Sequence, residues 1–271
     1  MARNIKIKEK SHAVSNGITV LVLIFAIAVC VIAAGNLYQI YGQYKAGSDE
    51  YDRIQNMVVT ERAAGTEKKP EIKEVQETGA VALDAPIEID FESLQEINND
   101  IVGWLYEDAI PSISYPVVQG EDNEYYLHRT FEKADNFAGT VFIDCKNNKD
   151  LSSCNTIVYG HNMKNGTMFG KLKQFKEEST IQKSPYIWML TPEGDYRYEI
   201  FTAYTAEVDS DTYTLFKGPG EELVKYAEKM QSYSSLVRTP LTFDVHDRIL
   251  TLSTCTGDDT TRYVVQAVYQ E

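Results

Sequence analysis

The sequence has no CysxxCys pair and no cluster of histidines, so it lacks the closely spaced nitrogen and sulfur ligands that hold a structural zinc. It has no internal repeat and no low-complexity tract, which excludes solenoid and collagen-like architectures. Positive charge is in deficit: 26 Lys and Arg stand against 40 Asp and Glu, for a net charge of −14. The first 45 residues carry five basic side chains against one acidic, which leaves −18 for the rest. A region so acidic is a poor binder of nucleic acid or anionic lipid, and its natural partners are neutral or cationic.

Charge of either sign is missing from Ser11 to Tyr44, and Gly17 to Gly35 is almost wholly apolar. About 20 helical residues rising about 1.5 Å each cross a bilayer core of about 30 Å. The segment therefore predicts a membrane span over residues 17–40. Arg3, Lys6, Lys8 and Lys10 precede it, which places residues 1–16 in the cytoplasm and everything after the span outside. A cleaved signal peptide is the rival, although its apolar stretch is usually only about 7 to 15 residues. Residues 41–88 are rich in Lys, Glu, Asp, Ala and Thr and read as an extracellular stalk, with a short helix near 49–62 from the spacing of Tyr51, Ile54 and Val58. Residues 89–271 form the folded domain.

That domain opens with a helical pattern at Phe91, Leu94 and Ile97 and then turns mostly to strands. Strands are predicted at 101–106, 113–118, 139–143, 155–159, 186–191, 196–204, 248–254 and 262–269, with a ProGluGlyAsp turn at 192–195. Helices are predicted at 122–128, 168–176 and 221–233. Eight short strands separated by turns imply a barrel or a sandwich.

One segment carries chemistry. In IleLeuThrLeuSerThrCys, residues 249–255, Leu250 and Leu252 face one side while Thr251, Ser253 and Cys255 face the other. ThrGlyAspAspThrThr then reads as a turn, so Arg262 begins an antiparallel neighbour and stands beside Cys255. A fixed positive charge beside a thiol favours thiolate and can hold an oxyanion. A buried cysteine beside a surface arginine is the bland alternative.

A cysteine nucleophile commonly works with a histidine. His12 precedes the membrane span, and His246 and Arg248 lie too far along an extended segment, roughly 30 Å from Cys255 for the histidine at about 3.3 Å per residue. His128, in AsnGluTyrTyrLeuHis, is either a surface residue or part of a cleft wall. His161 follows a strand-like AsnThrIleValTyrGly and opens a polar loop, a position where functional side chains concentrate. Cys145 and Cys154 are near enough in sequence to pair in an oxidising exterior, or to stay reduced.

TyrGlyHisAsnMet, ThrLeuSerThrCys and ArgTyrValVal, in that order behind one membrane span, resemble the sortases. AspIleValGlyTrpLeu, TyrProValValGlnGly, AsnGluTyrTyrLeu and GlyThrValPheIleAsp are similar to class B members in particular. The loop from Cys255 to Arg262 is shorter than in some members. The resemblance implies a mainly β protein, an eight-stranded sortase-like β-barrel with peripheral helices behind a single transmembrane helix. It implies a membrane-anchored cysteine transpeptidase in which Cys255, His161 and Arg262 are catalytic. Asn123, Leu127, Tyr159 and Ser253 would line the substrate groove, although a helix cap and a core leucine explain Asn123 and Leu127 equally well. The expected partners are secreted proteins with a C-terminal Asn-Pro-x-Thr-like sorting signal, cleaved after Thr through a thioacyl intermediate, and a cell-wall peptide amine as acceptor. No cofactor, metal or calcium is expected. Three other readings remain at this level: a sortase joining pilin subunits through a lysine, a secreted cysteine peptidase that uses water, and a non-catalytic ectodomain that binds peptide.

Overall fold

The computed structural model describes residues 2–62, 84–255 and 257–270. The chain divides into two compact units, Met1–Ala46 and Gly47–Glu271. From Ala2 onward the first is helical and belongs to α1 (Ala2–Val58). Within α1 the segment from Thr19 is long and apolar enough to cross a membrane, with an 18-residue window of mean hydropathy 2.8.

The second unit begins earlier than the expected stalk allows. Tyr51, Ile54 and Val58 lie on one face of the last turns of α1, and all three are buried. Tyr51 sets its ring edge-on to Tyr115 at 5.5 Å and donates its hydroxyl to the Gly139 carbonyl at 2.7 Å. The short helix expected at 49–62 is thus the end of α1, followed by β1 (Val59–Glu61), which pairs antiparallel with β2 (Ile87–Ile89). Three apolar side chains among charged ones suffice to dock this helix, and residues 63–83 of the expected stalk lie outside the described residues.

After α2 (Phe91–Ile97), capped by the Asp90 carboxylate on the Ser93 amide at 3.1 Å, the chain enters the barrel. Its strands are β3 (Ile101–Glu107), β4 (Ser114–Val118), β5 (Val141–Ile143), β6 (Asn155–Tyr159), β7 (Tyr186–Thr191), β8 (Gly194–Glu207), β9 (Ile249–Cys255) and β10 (Thr261–Gln270). They close in the order β10-β8-β7-β3-β4-β5-β6-β9. Six neighbouring pairs are antiparallel; β4–β5 and β6–β9 are parallel. Pro116 is tolerated in β4 because the ladder to β5 starts only at Val117, beyond the position where its missing N–H would be needed.

Two helices complete the unit, α3 (Glu178–Ile181) and α4 (Glu221–Ser232). Leu223, Ala227 and Met230 of α4 pack on Phe201, Ile249, Val264 and Val268, which defines the outer face of β8, β9 and β10. Leu250 and Leu252, on alternate positions of β9, therefore point into the barrel, where both are fully buried. The helices expected at 122–128 and 168–176 shorten to single 3-10 turns at Tyr125–Leu127 and Leu172–Lys176. In the first, Asp122 Oδ1 accepts the amides of both Glu124 and Tyr125, a local turn that competes with a longer helix.

Candidate active site

Three neighbouring strand ends build the site. Cys255 closes β9, and Arg262 lies directly across from it on β10. On the other side β6 runs parallel to β9 with Tyr159 level with Ser253, and the ladder continues through the Gly160 amide, which donates to the Ser253 carbonyl at 3.2 Å. His161 follows two residues after the end of β6 and Cys255 is the last residue of β9, so imidazole, thiol and guanidinium all lie at the same end of the barrel.

A cleft of about 240 Å³ runs over these ends, lined by Asn123, Leu127, Tyr159, His161, Ser253, Cys255 and Arg262 among others. The structure thus brings all seven candidate residues to one cleft. His246 and Arg248 precede β9 and fall at its opposite end, and Arg248 stacks its guanidinium over the Tyr269 ring at 3.9 Å. His128 stands outside the lining residues but sets its ring 6.4 Å from that of His161. Cys145 and Cys154 are separate free thiols.

His161 is held from the side. Its Nε2 lies 2.7 Å from the Leu127 carbonyl, which accepts only, so Nε2 carries a proton and Nδ1 is the nitrogen left for proton transfer. Burial pushes its pKa below the ordinary 6.5; the Leu127 bond opposes this and the neighbouring His128 adds to it. The resting ring is therefore neutral at neutral pH. Two glycines permit this arrangement. A Cβ on Gly139, at φ +59°, would lie 2.6 Å from the Tyr126 carbonyl and 2.7 Å from that of Leu127, and one on Gly160 would lie 2.7 Å from the Phe169 ring.

Arg262 donates from Nη1 to the Asp259 carbonyl at 3.1 Å and to its neighbour Thr261 at 2.9 Å. These bonds fasten the guanidinium to the turn and fix the direction of the rest of the fork. Tyr213, which the sequence reading missed, backs the wall formed by Tyr159 and Ser253. Its hydroxyl pairs with Ser253 Oγ at 2.9 Å and its ring stacks 6.5 Å from Tyr159. A buried chain supports its loop: Thr251 Oγ1 donates to Asn155 Oδ1 at 2.6 Å, Asn155 Nδ2 to the Thr214 carbonyl at 3.0 Å, and the Tyr226 hydroxyl to the Thr212 carbonyl at 2.7 Å. No motif marks Tyr213, which ends a single 3-10 turn, Asp211–Tyr213, in the connection after β8.

An eight-stranded barrel with thiol, imidazole and guanidinium at one cleft defines a site for thiol-based acyl transfer. Residues 108–270 match the sortase domain. The chain is 29% identical to sortase B of Listeria monocytogenes over 218 residues, 80% of this chain and 84% of that protein. Among solved structures, sortase B of Bacillus anthracis superposes with a TM-score of 0.68 at 30% identity, covering 86% of this chain and all of that one. A sortase B–substrate complex from Staphylococcus aureus gives 0.61 at 32% identity, covering 67% of this chain and 84% of that one. The chain belongs to the sortase family, and within it to class B, whose members are cysteine transpeptidases.

Proposed function

We propose that Cys255 is the nucleophile of a transpeptidase that acts on C-terminal sorting signals of secreted proteins. The observation that supports this reading is the register that sets Arg262 across from Cys255, together with the cleft at the ends of the parallel β6–β9 pair that His161 lines with both of them. Cys255 gives its proton to Nδ1 of the neutral His161 ring, producing thiolate and imidazolium together. The thiolate attacks the carbonyl carbon of the signal's Thr, and the developing oxyanion is met by the Arg262 fork. When the amide C–N bond breaks, the imidazolium returns its proton to the leaving amine, and a thioester on Cys255 remains. An incoming amine then attacks the thioester, loses a proton to Nδ1, and expels the thiolate.

Asn123, Leu127, Tyr159 and Ser253 form the walls that hold the signal, with Tyr213 beside them. The signal is of the Asn-Pro-x-Thr kind and the acceptor is an amine of a cell-wall peptide. The apolar stretch of α1 anchors the chain with its basic N-terminal residues in the cytoplasm and the barrel outside.

The test is intact-mass measurement of the detergent-solubilised full chain, incubated with Asn-Pro-x-Thr or Leu-Pro-x-Thr peptides, with and without an oligoglycine, a diaminopimelate-type amine or a lysine side chain. A mass increment that Cys255→Ala abolishes, and a ligated product on addition of amine, are expected. A thiol that alkylates readily but forms no adduct with any peptide would overturn the reading.

A further inference from the structure

Two motifs close to the cleft, TyrProValValGlnGly and GlyThrValPheIleAsp, have no part in the steps above, yet they converge on Asp144. Asp144 is 7% exposed at the end of β5, and its carboxylate receives three donors. Oδ1 accepts the Lys146 amide at 2.9 Å, while Oδ2 accepts Asn123 Nδ2 at 2.9 Å and the Tyr159 hydroxyl at 3.0 Å. Its backbone is clamped as firmly. The Asp144 amide donates to the Ile157 carbonyl at 2.9 Å, and the buried Gln119 donates its Nε2 to the Asp144 carbonyl at 2.9 Å and to that of Asn147 at 2.8 Å. The other end of the Asn123 amide is fixed too, since Oδ1 accepts the Cys145 amide at 2.8 Å.

We infer that Asp144 is a positioning residue that sets the hydrogen-bond polarity of the substrate wall. A carboxylate only accepts, so both wall residues must turn donors toward it. Tyr159 spends its single O–H on Asp144 and presents only oxygen lone pairs to a ligand. Asn123 spends one of its two N–H groups on Asp144 and one lone pair on Cys145, so it keeps an N–H to offer. The wall therefore presents one donor and one acceptor side by side, the complement of an amide group, and the inference rests on the sorting-signal reading for the peptide that brings that amide. Burial and the adjoining carboxylate raise the Tyr159 pKa, which keeps the phenol protonated in this role.

Asp144→Asn removes the common acceptor. A carboxamide has one oxygen for three donors, and its own NH2 must face at least one of them. Tyr159→Phe removes the other partner of the same bond and leaves the carboxylate in place. In the detergent-solubilised full chain, Asp144→Asn is expected to raise KM for the sorting peptide roughly tenfold or more, as loss of a charge-assisted hydrogen bond does, with kcat changed by less than about threefold. Tyr159→Phe is expected to raise KM similarly, and the double variant to be no worse than the poorer single one, because both act through one bond. Hydrogen exchange at the Cys145 amide needs no substrate and is expected to quicken about tenfold in Asp144→Asn as Asn123 is released. An unchanged KM with unchanged exchange overturns the inference, as does a fall in kcat alone that tracks lost folded protein, or multiplicative effects in the double variant. If the parent protein ligates no peptide, the sorting-signal reading fails by itself, and the exchange rate still decides whether Asp144 holds Asn123.

Discussion

Arg262→Lys separates the charge of Arg262 from its shape. The variant keeps a cation on the same strand end across from Cys255. It loses the planar fork, two of whose five N–H donors are spent on the Asp259 and Thr261 carbonyls. A lysine ammonium is a point donor on a flexible stem, and the two carbonyls that hold Nη1 would compete for it. If the rest of the fork meets the oxyanion, the variant loses a preorganised donor, worth about 10²–10³ in kcat or roughly 3–4 kcal/mol. The assay is steady-state ligation by the full chain in detergent, followed by chromatographic separation of peptide and product. Alkylation of Cys255 by iodoacetamide serves as the control, since it reports thiol reactivity without the peptide oxyanion. A large fall in kcat with alkylation nearly unchanged is the expected result. A variant within about threefold of the parent would retain all but ~0.6 kcal/mol of the stabilisation and would refute the oxyanion role, leaving Arg262 as a source of charge alone. A rise in KM with kcat intact would move the residue to peptide binding.

Three further outcomes are expected. Glu107 is fully buried, and burial raises its carboxyl pKa to about 8 from the ordinary 4.5, so the folded protein holds a proton that the unfolded chain releases; its contribution is intact below 4.5 and declines by at most about 1.4 kcal/mol per pH unit up to 8. Denaturant unfolding should therefore show Glu107→Gln gaining on the parent steadily between pH 5 and 8, and parallel curves would contradict the assignment. Ile54, fully buried in the last turns of α1, should cost about 2–5 kcal/mol when replaced by Ala and lower the melting temperature of the barrel unit by several degrees, whereas a stalk residue would cost nothing measurable. His161, its pKa depressed by burial, should titrate below 6.5 in heteronuclear NMR with the proton on Nε2 in the neutral ring; this group's contribution to stability is full above 6.5 and is lost as pH falls from there through the depressed value, and a midpoint near 7 or higher would overturn the burial argument.

What the sequence made legible follows from range. Eight strands stood out because alternation and turn residues are local signals, and the pairing of Cys255 with Arg262 was readable because a short turn joins their strands. The docked end of α1 was hidden by its composition: three apolar residues among Lys, Glu and Asp look like a solvated segment until Tyr115 and Gly139 supply the other half of the contact. The segment 122–128 was expected to be helical, and only a turn forms at Tyr125–Leu127; the Asp122 side chain accepts the amides at its start through bonds a periodicity count does not include. Tyr213 and Asp144 were invisible for a different reason. Each acts through partners brought from elsewhere in the chain, Ser253 for one and Asn123 with Tyr159 for the other.

The parallel pairing of β6 with β9 is the step that no local signal supplies, and the proposed chemistry depends on it. The two strands are separated by β7, β8 and α4 in the chain, so a histidine and a cysteine far apart in sequence come to one cleft only when the barrel closes. Closure alone would leave the imidazole free to rotate about its χ angles. The Leu127 carbonyl removes that freedom from outside the barrel, and it can approach because Gly139 has no Cβ to drive it away. The ring is thus located just past the end of β6, oriented by the Tyr125–Leu127 turn, and kept neutral by burial. A neutral ring with Nε2 occupied has one vacant position, Nδ1, and one accessible change of state, the gain of a proton there. In the proposed mechanism that restriction suits a group that takes a proton from a thiol, hands it to a leaving amine and takes another from the incoming one, because every transfer then passes through a single nitrogen whose place the fold has already set.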